Sequence, residues 1–244
     1  MTTWEQKFVR FVAERWVFQG SDPHDFTPRV LLLALGEDFI SSRLDRHEHH
    51  GSLYSGYIDG VKIGYMRVPP GTVILEAVMR SLAYTRIDTV IGIGSCGALQ
   101  PEIECGDIIV AGASLAGECL SPHYGAPHGE QVQGDAALTD NLASFMRGRE
   151  LPVHQGPVVT TGAAFRETDE AIAAWGVEGY LGVELEASAL FSLGNFLGVR
   201  TTLALLVTDS PVRGEISSVL RGSRQREAFV SGIAGFVNSA AVYR

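Results

Sequence analysis

Apolar positions first recur at helical spacing between residues 4 and 18, where Phe8, Phe11, Val12 and Trp16 share a face. A polar stretch from Gln19 to Thr27 gives way to Val30-Leu31-Leu32-Leu33-Ala34-Leu35, which ends at Gly36. A continuous apolar run of this length fits a strand buried on both faces. Residues 53–58 and 61–68 flank Asp59-Gly60, a strong signal for a tight hairpin. Val73, Ile74, Ala77, Val78 and Leu82 line one face of a helix over 72–84, and a second buried strand runs over 88–94 into a Gly-Ser-Cys-Gly turn. Further strands are expected at 108–111, 157–160 and 201–207, with helices at about 137–148, 168–175, 187–197 and 226–241. Between them, residues 114–135 are rich in glycine, proline and histidine and read as a long loop, a feature that is often functional in compact domains. Apolar strands alternating with amphipathic helices predict one three-layer α/β/α domain over 1–244, with 1–27 as an N-terminal helix and arm. The Asp-Gly hairpin adds an antiparallel element and makes the central sheet mixed.

Composition narrows the function classes. Forty-five per cent of the residues are hydrophobic and 19% charged, enough apolar surface for a core and too little charge for disorder. The formal net charge of −9 repels a polyphosphate chain, so a nucleic-acid polymer is not expected as a partner, whereas a small nucleoside or nucleotide is compatible with it. Cys96, Cys105 and Cys119 are odd in number and match no zinc spacing, which implies reduced thiols and no metal site. The first residues carry Glu5, Lys7, Arg10 and Glu14 among apolar positions, unlike a signal peptide, and no stretch is long and apolar enough to span a bilayer. The expectation is a cytoplasmic protein away from membranes.

Three segments carry candidate chemistry. Gly92 to Leu99 follows a buried strand; its glycines admit close approach of a ligand to backbone amides, and Ser95 adds a hydroxyl, although a plain tight turn has the same signature. Gly182-Val183-Glu184-Leu185-Glu186-Ala187 sets two carboxylates two residues apart. In extended backbone they share one face and fit a vicinal diol such as ribose; alternatively, one or both cap the helix that follows. Asp209 ends a strand in Leu205-Leu206-Val207-Thr208-Asp209-Ser210-Pro211, where open α/β sheets bind ligands. There it is either a general acid or a turn residue.

Together, in this order, the three segments resemble the nucleoside phosphorylase and nucleosidase superfamily, which includes purine nucleoside phosphorylase, uridine phosphorylase, methylthioadenosine nucleosidase and AMP nucleosidase. The resemblance runs from about Val30 to the C-terminus. Val183-Glu184-Leu185-Glu186-Ala187 is similar to the family's Val-Glu-Met-Glu-Ala, and Thr208-Asp209 to its Ser-Asp. Val158-Val159-Thr160-Thr161 and the run from Asp209 to Ile216 resemble AMP nucleosidase, while Ser121-Pro122-His123-Tyr124 resembles a uridine-phosphorylase-type loop. The resemblance implies a phosphorylase-type fold and a homo-oligomer, dimer or hexamer, with no cofactor beyond phosphate as a possible co-substrate. It further implies that Ser95, Cys96 and Gly97 line the phosphate and ribose turn and that Glu184, Leu185 and Glu186 hold the sugar. Phe165 stacks on the base, and Asp209 protonates it as the catalytic acid, oriented by Arg221 or Arg224. His24 is a candidate for a neighbouring subunit's sugar site.

The family's three phosphate arginines fall here on Ile40, His49 and Gly92, and the glycine-rich turn after the hairpin becomes Arg67-Val68-Pro69-Pro70-Gly71. Arg43, Arg46 and Arg67 lie nearby as substitutes. Hydrolytic members instead activate water with an acidic residue near the end of the first strand, where Glu37 and Asp38 follow Gly36. Gly36, Glu37, Asp38, Arg46 and Arg67 therefore form a candidate water or anion site. The expected reaction is cleavage of the N-glycosidic bond of a nucleoside or nucleotide, with a purine as the expected base and hydrolysis preferred over phosphorolysis. The alternatives are phosphorolysis through a rearranged phosphate site and binding without turnover.

Overall fold

The computed structural model describes residues 3–216 and 223–243. The apolar run after the arm forms β1 (Val30–Leu35), buried along its whole length. Leu31, Leu33 and Leu35 pack into one core, while Val30, Leu32 and Ala34 pack into the opposite one. The first core is covered by α2 (Thr72–Ser81) and α5 (Ala187–Leu197), the second by α3 (Ala136–Arg147) and α6 (Arg224–Val237). This is the expected three-layer α/β/α arrangement. α4 (Asp169–Val177) covers a third, smaller cluster through Ile172 and Trp175.

The other strands are β2 (Asp45–His50), β3 (Leu53–Ile58), β4 (Val61–Val68), β5 (Thr89–Ala98), β6 (Ile108–Gly117), β7 (Gln131–Gln133), β8 (Val153–Thr161), β9 (Gly182–Glu184) and β10 (Arg200–Asp209). They form one mixed sheet. β5, β10, β6, β8 and β9 pair in a closed circuit, and β1, β4, β3 and β2 extend from β5 as an open wing. β1 is parallel to both β4 and β5, and β10 is parallel to β5. Their carboxyl ends therefore open on the same side, where such sheets bind ligands.

Local differences from the sequence expectation have physical causes. α1 (Thr3–Val12) continues through a wider π turn at Ala13–Val17, and Trp4, Phe8, Phe11 and Trp16 stay exposed. β2 is charged and almost wholly exposed, so it has no apolar alternation to reveal it. The glycine-rich segment from Gly92 is no turn: β5 runs through it to Ala98, because β10 continues to pair with it at Ser95, Cys96 and Gly97. Residues 114–135 are largely ordered by pairing; β6 extends to Gly117, a 3-10 turn spans Ser121–Tyr124, and β7 pairs back onto β6. Among the described residues, no helix is long and apolar enough to cross a membrane.

Candidate active site

One rung of the sheet places the main candidates. Gly97 in β5 pairs with Val183 of β9 on one side and with Asp209 of β10 on the other. Strand spacing then puts Asp209 about 10 Å from Val183. Gly97 is needed at that rung, since a Cβ there would lie 2.7 Å from Asp209 Oδ2 and 3.0 Å from Pro211. The Thr208 hydroxyl donates to Asp209 Oδ1 at 2.9 Å; Oδ2 receives no hydrogen bond among the described residues. Within otherwise buried stretches, Ser95, Leu185, Thr208 and Asp209 are only partly buried, so they open onto the carboxyl ends of the strands.

The two glutamates diverge. β9 ends at Glu184, and Glu186 turns out of the strand (φ −135°, ψ −19°) as the residue before α5, so they do not share a face. Glu184 folds back over the helix start. Its Oε2 accepts from the amides of Glu186 (2.7 Å) and Ala187 (2.8 Å), and its Oε1 accepts from the Thr160 hydroxyl at 2.6 Å. Thr160 Oγ1 in turn accepts from the Ser188 amide at 2.8 Å and contacts Ser114 Oγ at 2.8 Å. Expected as a substrate ligand, Glu184 is instead fully engaged as a buried helix cap. Burial, with the Glu186 charge beside it, pushes its carboxyl well above the ordinary range despite these bonds. Glu186 is also pushed up by burial, opposed by a 2.6 Å hydrogen bond from the Gly71 amide to Oε1. Gly71 adopts φ +112° at the start of α2, a conformation open to glycine, and so can aim its N–H at the glutamate.

Other candidates separate in the same way. Cys96 is buried, and its thiol is pushed well up by burial and by the charges of Asp209 and Glu184, so only its backbone remains a candidate for ligand contact. Phe165 is 104% exposed on the 3-10 turn Ala164–Arg166; its ring is not packed into the site, because the turn lies outside the layers. Arg221 lies outside the described residues, Arg224 is exposed at the start of α6, and His24 is exposed in the arm.

At the end of β1 the acidic pair is not free. Glu37 forms a 2.7 Å ion pair with Arg226, whose guanidinium also donates to Asp38 O and lies 4.2 Å from the Phe39 ring centroid. Burial alone would raise the Asp38 carboxyl, yet hydrogen bonds from the Ser41 hydroxyl, Tyr65 hydroxyl, Ser41 amide and Ile40 amide hold it below its ordinary value. Arg43 pairs with Glu227 on α6, and Arg46 sits on β2, which β3 and β4 separate from β1. Ile40 is fully buried, and His49 lies against Tyr54 with ring centroids 4.5 Å apart. A Cβ on Gly92 would come within 2.6 Å of Leu203 Cδ1 and 2.9 Å of Leu190 Cδ2. Only Arg67 remains at the strand ends: its Nε donates to Gly36 O at 2.8 Å, and it has no acidic partner among the described residues. Ala34 pairs with both Arg67 and Ile93, so Gly36 and Ser95, each two residues further along, are level with one another. Arg67 and Ser95 thus flank the end of β1.

Thr160 and the Gly71 amide escaped the sequence reading. Thr160 stood in a quoted motif without a role, while the Gly71 amide acquires one only through tertiary contact.

Comparison with known proteins identifies the family. The phosphorylase superfamily model matches residues 28–231. A guanosine phosphorylase from Halorubrum lacusprofundi is 30% identical over 136 residues, 56% of each chain. A DeoD-type purine nucleoside phosphorylase from Clostridium novyi is 25% identical over 188 residues, 74% of this chain and 78% of that one. The crystal structure of uridine phosphorylase from Vibrio fischeri, complexed with 6-hydroxy-1-naphthoic acid, superposes with a TM-score of 0.73 at 20% identity, over 91% of this chain and 95% of that one, and shares the fold. On that match, which runs from just before β1 into α6, the chain belongs to the phosphorylase superfamily.

Proposed function

We propose that the chain, an N-glycosyl-bond-cleaving enzyme by family, is a purine nucleoside phosphorylase that transfers the ribosyl group from base to phosphate. This reverses the preference for hydrolysis drawn from the missing arginines. The observation that carries the reading is the state of the β1 end. Both carboxylates that would activate water are engaged, Glu37 by Arg226 and Asp38 by four donors, whereas Arg67 offers a guanidinium there. A guanidinium suits a phosphate oxyanion through charge-assisted hydrogen bonds. The names of the Halorubrum and Clostridium relatives support phosphate as acceptor and a purine as base.

In this reading Arg67 and Ser95 hold phosphate beneath the anomeric carbon. Glu186, anchored through one oxygen by the Gly71 amide, presents the other to the ribose hydroxyls. Leu185 packs under the sugar, and Asp209 gives a proton to the departing base. Water as acceptor is the second reading, favoured by the burial of Ile40 and the closed space around Gly92. A panel of nucleosides and nucleotides with and without phosphate, read as free base released, tests the proposal. Saturable dependence on phosphate, with its KM raised by Arg67→Ala, is expected. Equal release without phosphate contradicts it.

A further inference from the structure

Four large aromatic side chains at the N-terminal end of the chain face solvent, and the backbone gathers them on one stripe. Trp4, Phe8 and Phe11 follow at helical spacing on α1, 73%, 49% and 50% exposed, and Trp4 stacks on Phe8 with ring centroids 6.0 Å apart. On a regular helix Trp16 would stand about a third of a turn off that stripe. The π turn at Ala13–Val17, closed by the Phe18 amide donating to Ala13 O at 2.8 Å, takes more residues per turn and rotates Trp16 back toward it. Trp16, 57% exposed, thereby lines one groove of about 490 Å³ with Trp4, Phe8 and Val73 of α2. This face is fixed in place. Ala13 and Val17 on the opposite side are buried in the first core, and Arg80 of α2 donates to Glu5 Oε1 at 2.9 Å.

We propose that this face is where two copies of the chain join, with α1 packed antiparallel to its copy across a two-fold axis near Arg10. The area fits such a contact. The exposed parts of the four aromatic side chains, with Val73 and Ile74 of α2, amount to roughly 600–700 Å² of apolar surface. That exceeds the ~300–600 Å² of the largest apolar patch on a typical monomer and approaches the ~800 Å² that each partner buries in a stable interface. The order of residues is also self-complementary, as a two-fold contact requires. Trp4 and Glu5 stand at one end of the stripe, Arg15 and Trp16 at the other. A two-fold near Arg10 sets Trp4 against the partner subunit's Trp16, and Glu5 near the partner subunit's Arg15. Tryptophan is enriched among the residues that dominate binding energy in interfaces.

The contact is a property of this chain's own arm. α1 and the π turn precede residue 28, where the match to the superfamily begins, so family membership does not supply it. A lipid surface would take the same aromatic stripe, yet the charges beside it oppose that occupant. Helices that lie on membranes carry lysine and arginine on their polar face. Here Glu5 and Glu14 alternate with Lys7, Arg10 and Arg15, and Glu14 neutralises Arg10 at 2.7 Å. The net charge of −9 adds repulsion from anionic headgroups.

Sedimentation of the full chain at about 0.1–50 μM tests the contact, and it reads mass alone, whatever nucleoside the enzyme takes. The parent should run as a dimer or a multiple of one. Trp4→Glu and Phe8→Glu, both at exposed positions, should raise the dissociation constant of the two-fold contact by roughly 30-fold or more, with circular dichroism and Tm close to the parent's. Trp4→Phe should keep the parent's mass. A second measurement checks the register without a buried charge. When Trp4→Cys and Trp16→Cys chains are mixed, a short bismaleimide should link one to the other in preference to either with itself, above the background that Cys105 and Cys119 give in the parent. A monomeric parent across the whole range overturns the proposal. So do folded glutamate variants that keep the parent's mass, which would place its assembly on another face. A monomeric parent that pellets with phosphatidylserine vesicles, and no longer does so as Trp4→Glu, would give the face to a membrane instead.

Discussion

Glu184 offers a sharp test of how the two glutamates divide their work. Its carboxylate closes three short hydrogen bonds, two of them from amides at the start of α5. Glu184→Ala leaves those two buried N–H groups unpaired. At ~1–3 kcal/mol each, partly offset by no longer burying a polar carboxyl, the net cost is about 2–4 kcal/mol. For a chain of this size that corresponds to a fall in Tm of roughly 5–15 °C. Glu184→Gln behaves differently. The amide oxygen can keep both N–H groups, while its NH2 donates to Thr160 Oγ1, which then turns its own hydroxyl toward Ser114.

Linkage adds a second signature to this pair of variants. A carboxyl raised in the folded state contributes stability that is fully present below its unfolded pKa and is lost as pH rises through the folded one. For Glu184 the window runs from the ordinary value of 4.5 to about 8. The parent should therefore lose stability across that window, and Glu184→Gln should lose less of it. Urea unfolding at pH 5, 6.5 and 8 measures both effects, beside kcat/KM on the best nucleoside. A Glu184→Gln variant that folds as stably as the parent yet loses turnover 100-fold would refute the structural assignment and put Glu184 against the substrate.

Glu186→Gln should keep the bond from Gly71 but weaken the grip on the ribose hydroxyls, lowering kcat/KM by about 10–100-fold with little change in Tm; unchanged kinetics would remove Glu186 from the sugar site. Asp209→Asn should cost ~10²–10⁴-fold on guanosine or inosine and much less on 7-methylguanosine, and equal losses on both would point to a binding role. Gly92→Ala should destabilise by about 1–3 kcal/mol in denaturant unfolding, because its Cβ meets Leu203 and Leu190. Gly92→Arg should do so more severely without improving phosphate affinity; a stable Gly92→Arg variant that binds phosphate better would show the space to be open.

Much of this layout was legible in the chain itself. β1 announced itself as an unbroken apolar run, the hairpin through Asp59-Gly60, and the site through three segments that the sheet brings to one side. What escaped depended on partners distant in sequence. β2 is polar because successive side chains on both its faces are exposed as far as His49, so periodicity could not mark it. Glu184 and Glu186 look equivalent two residues apart, and only the end of β9 after Glu184 makes one a cap and leaves the other a candidate sugar ligand. Glu37 and Asp38 read as free acids until α6 supplies Arg226 and β4 supplies Tyr65.

The central claim is that phosphate, rather than water, takes the ribosyl group. It is tested most directly by following guanosine or inosine turnover in phosphate buffer by phosphorus NMR. The account predicts ribose 1-phosphate appearing in step with free base, at a rate that saturates with phosphate and weakens with Arg67→Ala. Free ribose as the product, at a rate indifferent to phosphate, would contradict it.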